Sequence, residues 1–226
     1  TDSFFFAKTI EDISKDDWND CTGLDHPFTR YEFFHALEKS NSAVNITGWQ
    51  PFHYIQINKK KKIVAVCPLY VKSHSFGEYI FDHAWADAYN RYGLEYYPKL
   101  QSAVPFTPVT GERIIIHKSI KNKYDIKNKV IKNIIDKAQT LNVSSLHFNF
   151  LNKPDFLSEN NTELLLRQGI QFHWKNNNYK SFNEFLETLS SRKRKIIKKE
   201  RSCIKDNNLS VKLLNGVEIQ KEHWEF

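Results

Sequence analysis

Along this chain the spacing of apolar residues changes several times, and each change predicts an element. The apolar run around Phe4 to Phe6 predicts a strand over about residues 3–10. Ser14-x-x-Asp17 before Trp18 predicts a short capped helix, and Thr29-Arg-Tyr-Glu32 reads as a capping box opening a second one through about Leu37. Trp49–Ile57 and Ile63–Val71 are β-branched, aromatic-rich runs separated by Asn58-Lys-Lys-Lys-Lys62, the pattern of a hairpin with a charged turn. Ile114–His117 predicts a short strand. Ile126, Val130, Ile134, Ile135 and Ala138 fall near helical spacing within Asp125–Leu141, and Ser145–Phe150 alternates as a strand. Asn161–Arg167 then predicts a helix and Ile170–Lys175 a strand, with Asn176-Asn-Asn178 as a turn that closes a first domain at residue 179.

From residue 180 the period is helical again. Ser181-x-x-Glu184 is another capping box, and Phe182, Phe185, Leu186, Leu189, Ile196, Ile197 and Ile204 predict a long amphipathic helix with Ser190-Ser191 as its candidate break. Leu209–Leu214 predicts a further strand and Ile219–Phe226 the start of another helix. The mixture of a hairpin with helix-then-strand units makes the chain a mixed α/β protein.

Residues 73–111 have no clean period. Prolines at 98, 105 and 108 and glycines at 77, 93 and 111 predict mostly irregular chain. The stretch holds nine aromatic residues and four acids against two bases. A loop this long in a compact domain is usually functional.

Composition narrows the classes. With 40% hydrophobic, 14% aromatic and 26% charged residues among 226, the chain is neither disordered nor low in complexity. No apolar run approaches the roughly 18–20 residues of a membrane span, so a cytoplasmic protein is expected. Three cysteines far apart, with no CxxC or HExxH spacing, suit neither a disulfide framework nor structural zinc. Of the net charge of +7, +6 sits in residues 192–201, leaving the rest of the chain nearly neutral.

Two regions carry candidate chemistry. His74, Glu78, Asp82, His83 and Asp87 gather just after a predicted strand, where carboxylates and imidazoles among aromatics can bind or deprotonate an amine. We therefore expect Asp87, Glu78 and His83 as catalytic groups. Trp85, Tyr89 and Tyr97 would shape the pocket, with His74, Asp82, Lys99 and Thr107 lining it. Their alternative is a polar-aromatic loop packed on a sheet. Arg192, Lys193, Arg194, Lys195 and Lys198 form the second region and are expected to hold a phosphate-bearing donor by counterion release, their alternative being a solvated helix face. Neither GxGxxG nor GxxxxGK[ST] occurs, nor the Gln/Arg-x-x-Gly-x-Gly/Ala loop of acetyl-coenzyme A enzymes. A serine nucleophile is disfavoured because no GxSxG elbow exists, and no base-reading module supports DNA recognition.

Several blocks together carry a resemblance: HPFTRYEFFHALE (26–38), TGWQPFHYI (47–55), PLYVKSHSFGEYIFDHAWADAYNRYGLEYYPKLQSAVPFTPVTGER (68–113), QFHWKNNNYKSFNEFLETLSSRKRKIIKKER (171–201) and HWEF (223–226). In these the chain resembles the FemAB-like predicted N-acyltransferases of the GNAT superfamily, also described as peptidoglycan biosynthesis or recognition proteins. The resemblance implies a GNAT-like fold with a central, mostly antiparallel sheet flanked by helices. It also implies two such halves and greater length, so that 180–226 would open a truncated second half able to self-associate. It implies transfer of an acyl or aminoacyl group to an amine, with acyl-CoA or aminoacyl-tRNA as co-substrate and no tightly bound cofactor. A peptidoglycan precursor is one candidate acceptor and tRNA a candidate partner. The competing expectation is a non-catalytic module that binds a wall precursor or RNA.

Overall fold

The structure is a computed structural model that describes residues 3–152 and 164–225. It divides into two compact units, Thr1–Leu166 and Arg167–Phe226.

In chain order the first unit holds β1 (Ser3–Ala7), α1 (Lys15–Thr22), α2 (Tyr31–Lys39), β2 (Trp49–Pro51), β3 (His53–Ile57), β4 (Ile63–Cys67), β5 (Tyr70–Lys72), α3 (His83–Arg91), β6 (Lys99–Ser102), β7 (Ile115–Ile116), α4 (Lys123–Thr140) and β8 (Leu146–Phe148). Two four-stranded sheets form, ordered β1-β3-β4-β7 and β2-β5-β6-β8. All pairings are antiparallel except β6 with β8, where Leu100 faces Leu146.

The expected hairpin is present, and its turn is tied by the Asn58 side chain, which accepts from the Lys60 and Lys62 amides at 2.9 and 3.1 Å. Each arm, however, serves two sheets. Pro51 and Pro68, which have no N–H to give a ladder, stand where the chain passes from one sheet to the other. The Phe52 N–H donates to the Leu69 carbonyl at 2.8 Å across the handover, and the Leu69 N–H donates to His53 Nδ1 at 3.3 Å.

The first sheet is covered on both faces. Tyr54, Ala65 and Cys67 point into a core with Val130, Ile131 and Ile134 of α4, while Ile55 and Val66 point into one with Trp18 of α1 and Phe34 of α2. Strands buried on both sides read as continuous apolar runs, as Ile63–Cys67 does. Each fully buried aliphatic side chain of α4 contributes about 1.5–3 kcal/mol.

Several expectations need correction. The cap of α2 is Arg30 and not Thr29, because Thr29 is buried in a 3-10 turn and its Oγ1 donates to the His26 carbonyl at 3.0 Å. Glu32 turns away to Lys15 and Arg30 at 3.1 and 3.2 Å. The stretch 73–111 is mostly irregular as expected, but it also holds α3 and β6, which the sequence pattern does not predict; β6 was hidden because its inward residues include Lys99 and Gln101. Ile170–Lys175 and Leu209–Leu214 carry no strand, and the final helix is a 3-10 turn at Lys221–His223. The helix expected over Asn161–Arg167 lies in part outside the described residues.

The second unit is built on α5 (Phe182–Glu187) and α6 (Ser191–Asp206). Ser181 caps α5, its Oγ accepting from the Glu184 amide, but Glu184 accepts from the Lys180 amide, one residue before the cap, so the reciprocal bond of the expected capping box is displaced. The expected break falls at Ser190, the N-cap of α6. Phe185 gathers Trp174, Tyr179 and Phe182 at 5.7–5.9 Å between ring centres. No helix among the described residues is long and apolar enough to cross a membrane.

Candidate functional site

The site grows from the period of β5 and β6. Tyr70 and Lys72 share one side of β5, and Tyr70 is wholly buried, so Lys72 is carried inward with it. Lys72 pairs across the ladder with Lys99 of β6. Two lysines thus enter one interior, and the segment that follows β5 supplies the compensation.

Lys99 Nζ is 2.8 Å from Glu78 Oε2, 2.6 Å from Asp82 Oδ2 and 2.9 Å from Ser75 Oγ. Its three N–H groups therefore each have an acceptor. Tyr96 donates its hydroxyl to the same Asp82 oxygen at 2.8 Å, and the Ser75 and Tyr97 hydroxyls lie 2.7 Å apart. Lys72 is held more loosely. Its ammonium lies 3.5 Å over the Trp49 ring, 3.4 Å from the Phe76 carbonyl and 3.9 Å from Glu78 Oε1. The side chains of Lys72, Glu78, Asp82 and Lys99 expose none of their surface. With its amide turned to suit its neighbours, Gln101 donates to Glu78 and accepts from the Asn149 amide.

Burial sets the electrostatics. Desolvation lowers the Lys72 pKa to about 7 despite the neighbouring carboxylates, and it raises that of Glu78 despite Lys99. At Asp82 burial also pushes upward, but hydrogen bonds from Lys99, Ser75 and Tyr96 outweigh it and hold the carboxyl below its ordinary range.

The segment over the lysines is fixed by His74. Its Nδ1 accepts from the Phe76 amide at 3.2 Å, and its ring lies against Gly48, where φ is +73° and a Cβ would run into the imidazole. Gly77, at φ +76°, leaves room in the same way for the ring of Phe106.

The structure brings together four of the expected site residues, Glu78, Asp82, Tyr97 and Lys99, and adds Lys72, Ser75, Tyr96 and Gln101. The missing signal was parity along β5, which ties Lys72 to Tyr70. His83, Trp85 and Asp87 are exposed on α3, while Tyr89 stacks edge-on against Tyr96 at 5.2 Å. Thr107 is half-buried in the turn after β6. On α6, Arg192, Lys193, Lys195 and Lys198 are exposed. Arg194 is engaged differently, donating to the carbonyls of Leu186, Glu187 and Leu189 at 3.0–3.2 Å. Among the described residues no grouping of three or more His, Cys, Asp and Glu could hold a metal ion.

Comparison with known proteins gives one family. The FemAB-like model, described as peptidoglycan biosynthesis/recognition, matches residues 9–226. No curated protein matches the chain. Similar solved structures include a ribosomal-protein-alanine N-acetyltransferase from Brucella melitensis biovar Abortus 2308, with 12% identity over 77% of this chain and all of that one at a TM-score of 0.45. A GNAT family acetyltransferase from Staphylococcus aureus subsp. aureus USA300_TCH1516 is 11% identical over 74% of this chain and 98% of that one, at 0.39. The aminoglycoside 6'-N-acetyltransferase AAC(6')-Ih from Acinetobacter baumannii is 9% identical over 78% and 99%, at 0.38.

Proposed function

Because the chain belongs to the FemAB-like family, we propose that it is an N-acyltransferase which moves an acyl or aminoacyl group from an activated donor to an amine of a peptidoglycan precursor. The observation that carries this reading is the family match over residues 9–226, which includes every residue of the ion cluster. The amine attacks the acyl carbonyl directly, the donor's leaving group departs with the bonding pair, and the nitrogen gives up a proton.

In this reading the buried quartet is a platform. Lys99, with all three donors occupied, fixes Glu78, Asp82 and Ser75, and the tyrosines above it take their places from that network. Asp87 and His83, exposed on α3, are the groups in reach of a substrate amine, to bind it or take its proton. Arg192, Lys193, Lys195 and Lys198 would contact the phosphates of acyl-CoA or aminoacyl-tRNA.

The test is label transfer by the purified chain from radiolabelled acetyl-CoA and, in parallel, aminoacyl-tRNA to amine acceptors that include peptidoglycan precursors. Transfer from either donor is expected, and the productive donor names the co-substrate. Silence from both with folded protein overturns the enzyme. The complete burial of Glu78, Asp82 and Lys99 favours the second reading in that case, a binding module on the same scaffold.

A further inference from the structure

The second unit has a surface that phosphate contact alone does not account for. α6 is 16 residues long and holds the seven basic groups of residues 192–201. Arg194 is engaged by the carbonyls that end α5, whereas Arg192, Lys193, Lys195, Lys198, Lys199 and Arg201 are exposed. At roughly 3.6 residues per turn, Ile196, Ile197, Cys203 and Ile204 share one third of the helix circumference. Lys193 and Glu200 interrupt that arc, Arg192 and Lys199 border it on one side, and Arg201 borders it on the other.

The apolar groups of the arc stand among these cations and face outward, Ile196 being 47% and Ile204 39% exposed. From the Arg201 border the surface continues into rings. The Arg201 guanidinium lies 4.4 Å from the centre of Phe182, Phe182 meets Phe185 at 5.8 Å, and Phe185 meets Trp174 at 5.9 Å. Phe182 and Trp174 are themselves 42% and 66% exposed. A chain of contacts thus joins a basic helix to two exposed aromatic side chains.

The mixture selects the partner. A nucleic acid uses cations on its phosphates and flat rings under its bases, and it gives aliphatic side chains between those cations nothing to bury against. A bilayer with anionic headgroups takes all three groups together. Its phosphates meet the lysines and arginines, the isoleucines enter the boundary between headgroups and acyl chains, and Trp and Phe lodge at the same depth. The long basic stems can lie along the apolar arc and lift their charges to the phosphates.

We propose that α6 and the ring cluster beside it form a docking surface for an anionic lipid bilayer, the helix lying in the plane of the headgroups. The local charge of +6 over residues 192–201 is complementary to a negative leaflet. The proposal does not rest on the transferase reading, because lipid binding requires neither donor nor acceptor.

The experiment sediments the purified chain with vesicles of phosphatidylcholine and, in parallel, with vesicles in which half the lipid is phosphatidylglycerol, and records tryptophan emission on both. Binding to the anionic vesicles is expected, with a blue shift in emission and weakening as salt is raised, and little binding to the neutral ones. Lys195→Gln with Lys198→Gln should weaken it roughly fivefold for each charge removed. The decisive pair is Ile196→Gln with Ile204→Gln, checked for folding by circular dichroism. It should weaken vesicle binding about tenfold and leave binding to polyuridylate unchanged. Should that pair fail to fold, Trp174→Ala, outside both helices, should weaken vesicle binding severalfold. No binding to anionic vesicles, or equal binding to both kinds, overturns the proposal. Vesicle binding untouched by the apolar substitutions also overturns it and makes α6 a plain polyanion surface.

Discussion

Lys72 and Lys99 face each other across one ladder, yet their ammonium groups have different surroundings. Lys99 has three charged or hydroxyl acceptors within 2.9 Å, whereas Lys72 has a ring face, a carbonyl and a carboxylate oxygen 3.9 Å away. Replacing Lys99 by Met leaves Glu78 and Asp82 buried without their main partner, and unfolding in urea should show a loss of about 3–5 kcal/mol. Lys72→Met should behave differently with pH. The folded-state pKa of Lys72 is lowered from 10.5 to about 7 by desolvation, so between those values the unfolded chain holds more protons than the native one. Stability from this group therefore rises as pH climbs from about 7 toward 10.5. Urea midpoints at pH 7 and pH 9 should favour the wild type over Lys72→Met progressively more at the higher pH, and an equal difference at both would contradict this. Glu78 and Asp82 were legible in the sequence as an acidic group near a strand end. Their burial was not, because it depends on two lysines that reach them only when β5 and β6 pair.

At the scale of elements, the hairpin, α1, α4 and the capped start of α5 follow from local pattern, since each has a period or a cap that needs no distant partner. α3 and β6 escaped because neither carries an apolar period: α3 has no residue buried, and β6 buries Lys99, Gln101 and Ser102 beside Leu100. The junction of α5 and α6 shows how a basic run can hold a structural member. Arg194 covers three carbonyls at the end of α5, so Arg194→Ala should speed amide exchange in α5 and leave α1 and α2 unchanged. Lys195→Gln and Lys198→Gln should leave that exchange alone. If α6 contacts RNA, each should instead lower the slope of log affinity against log salt by roughly 0.7–0.9.

For the whole molecule, the transferase reading separates two carboxylates that sequence alone placed together. Asp87→Asn should abolish label transfer at an unchanged melting temperature, because the residue is exposed on α3. Glu78→Gln should lower both, because the same side chain contacts Lys99 and lies near Lys72. Melting curves beside the transfer assay check this, and an unaltered melting temperature in Glu78→Gln would remove that carboxylate from the platform. The parallel pairing of β6 with β8 also orders the folding of the chain. β6 reaches β5 through the segment carrying Glu78 and Asp82, but it reaches β8 only across β7 and the whole of α4. Closing so long a loop is slow relative to forming the hairpin. β6, the strand that carries Lys99, thus gains its second neighbour only after β7 and α4 are in place, and a chain stalled before that would keep one edge of β6 open to water.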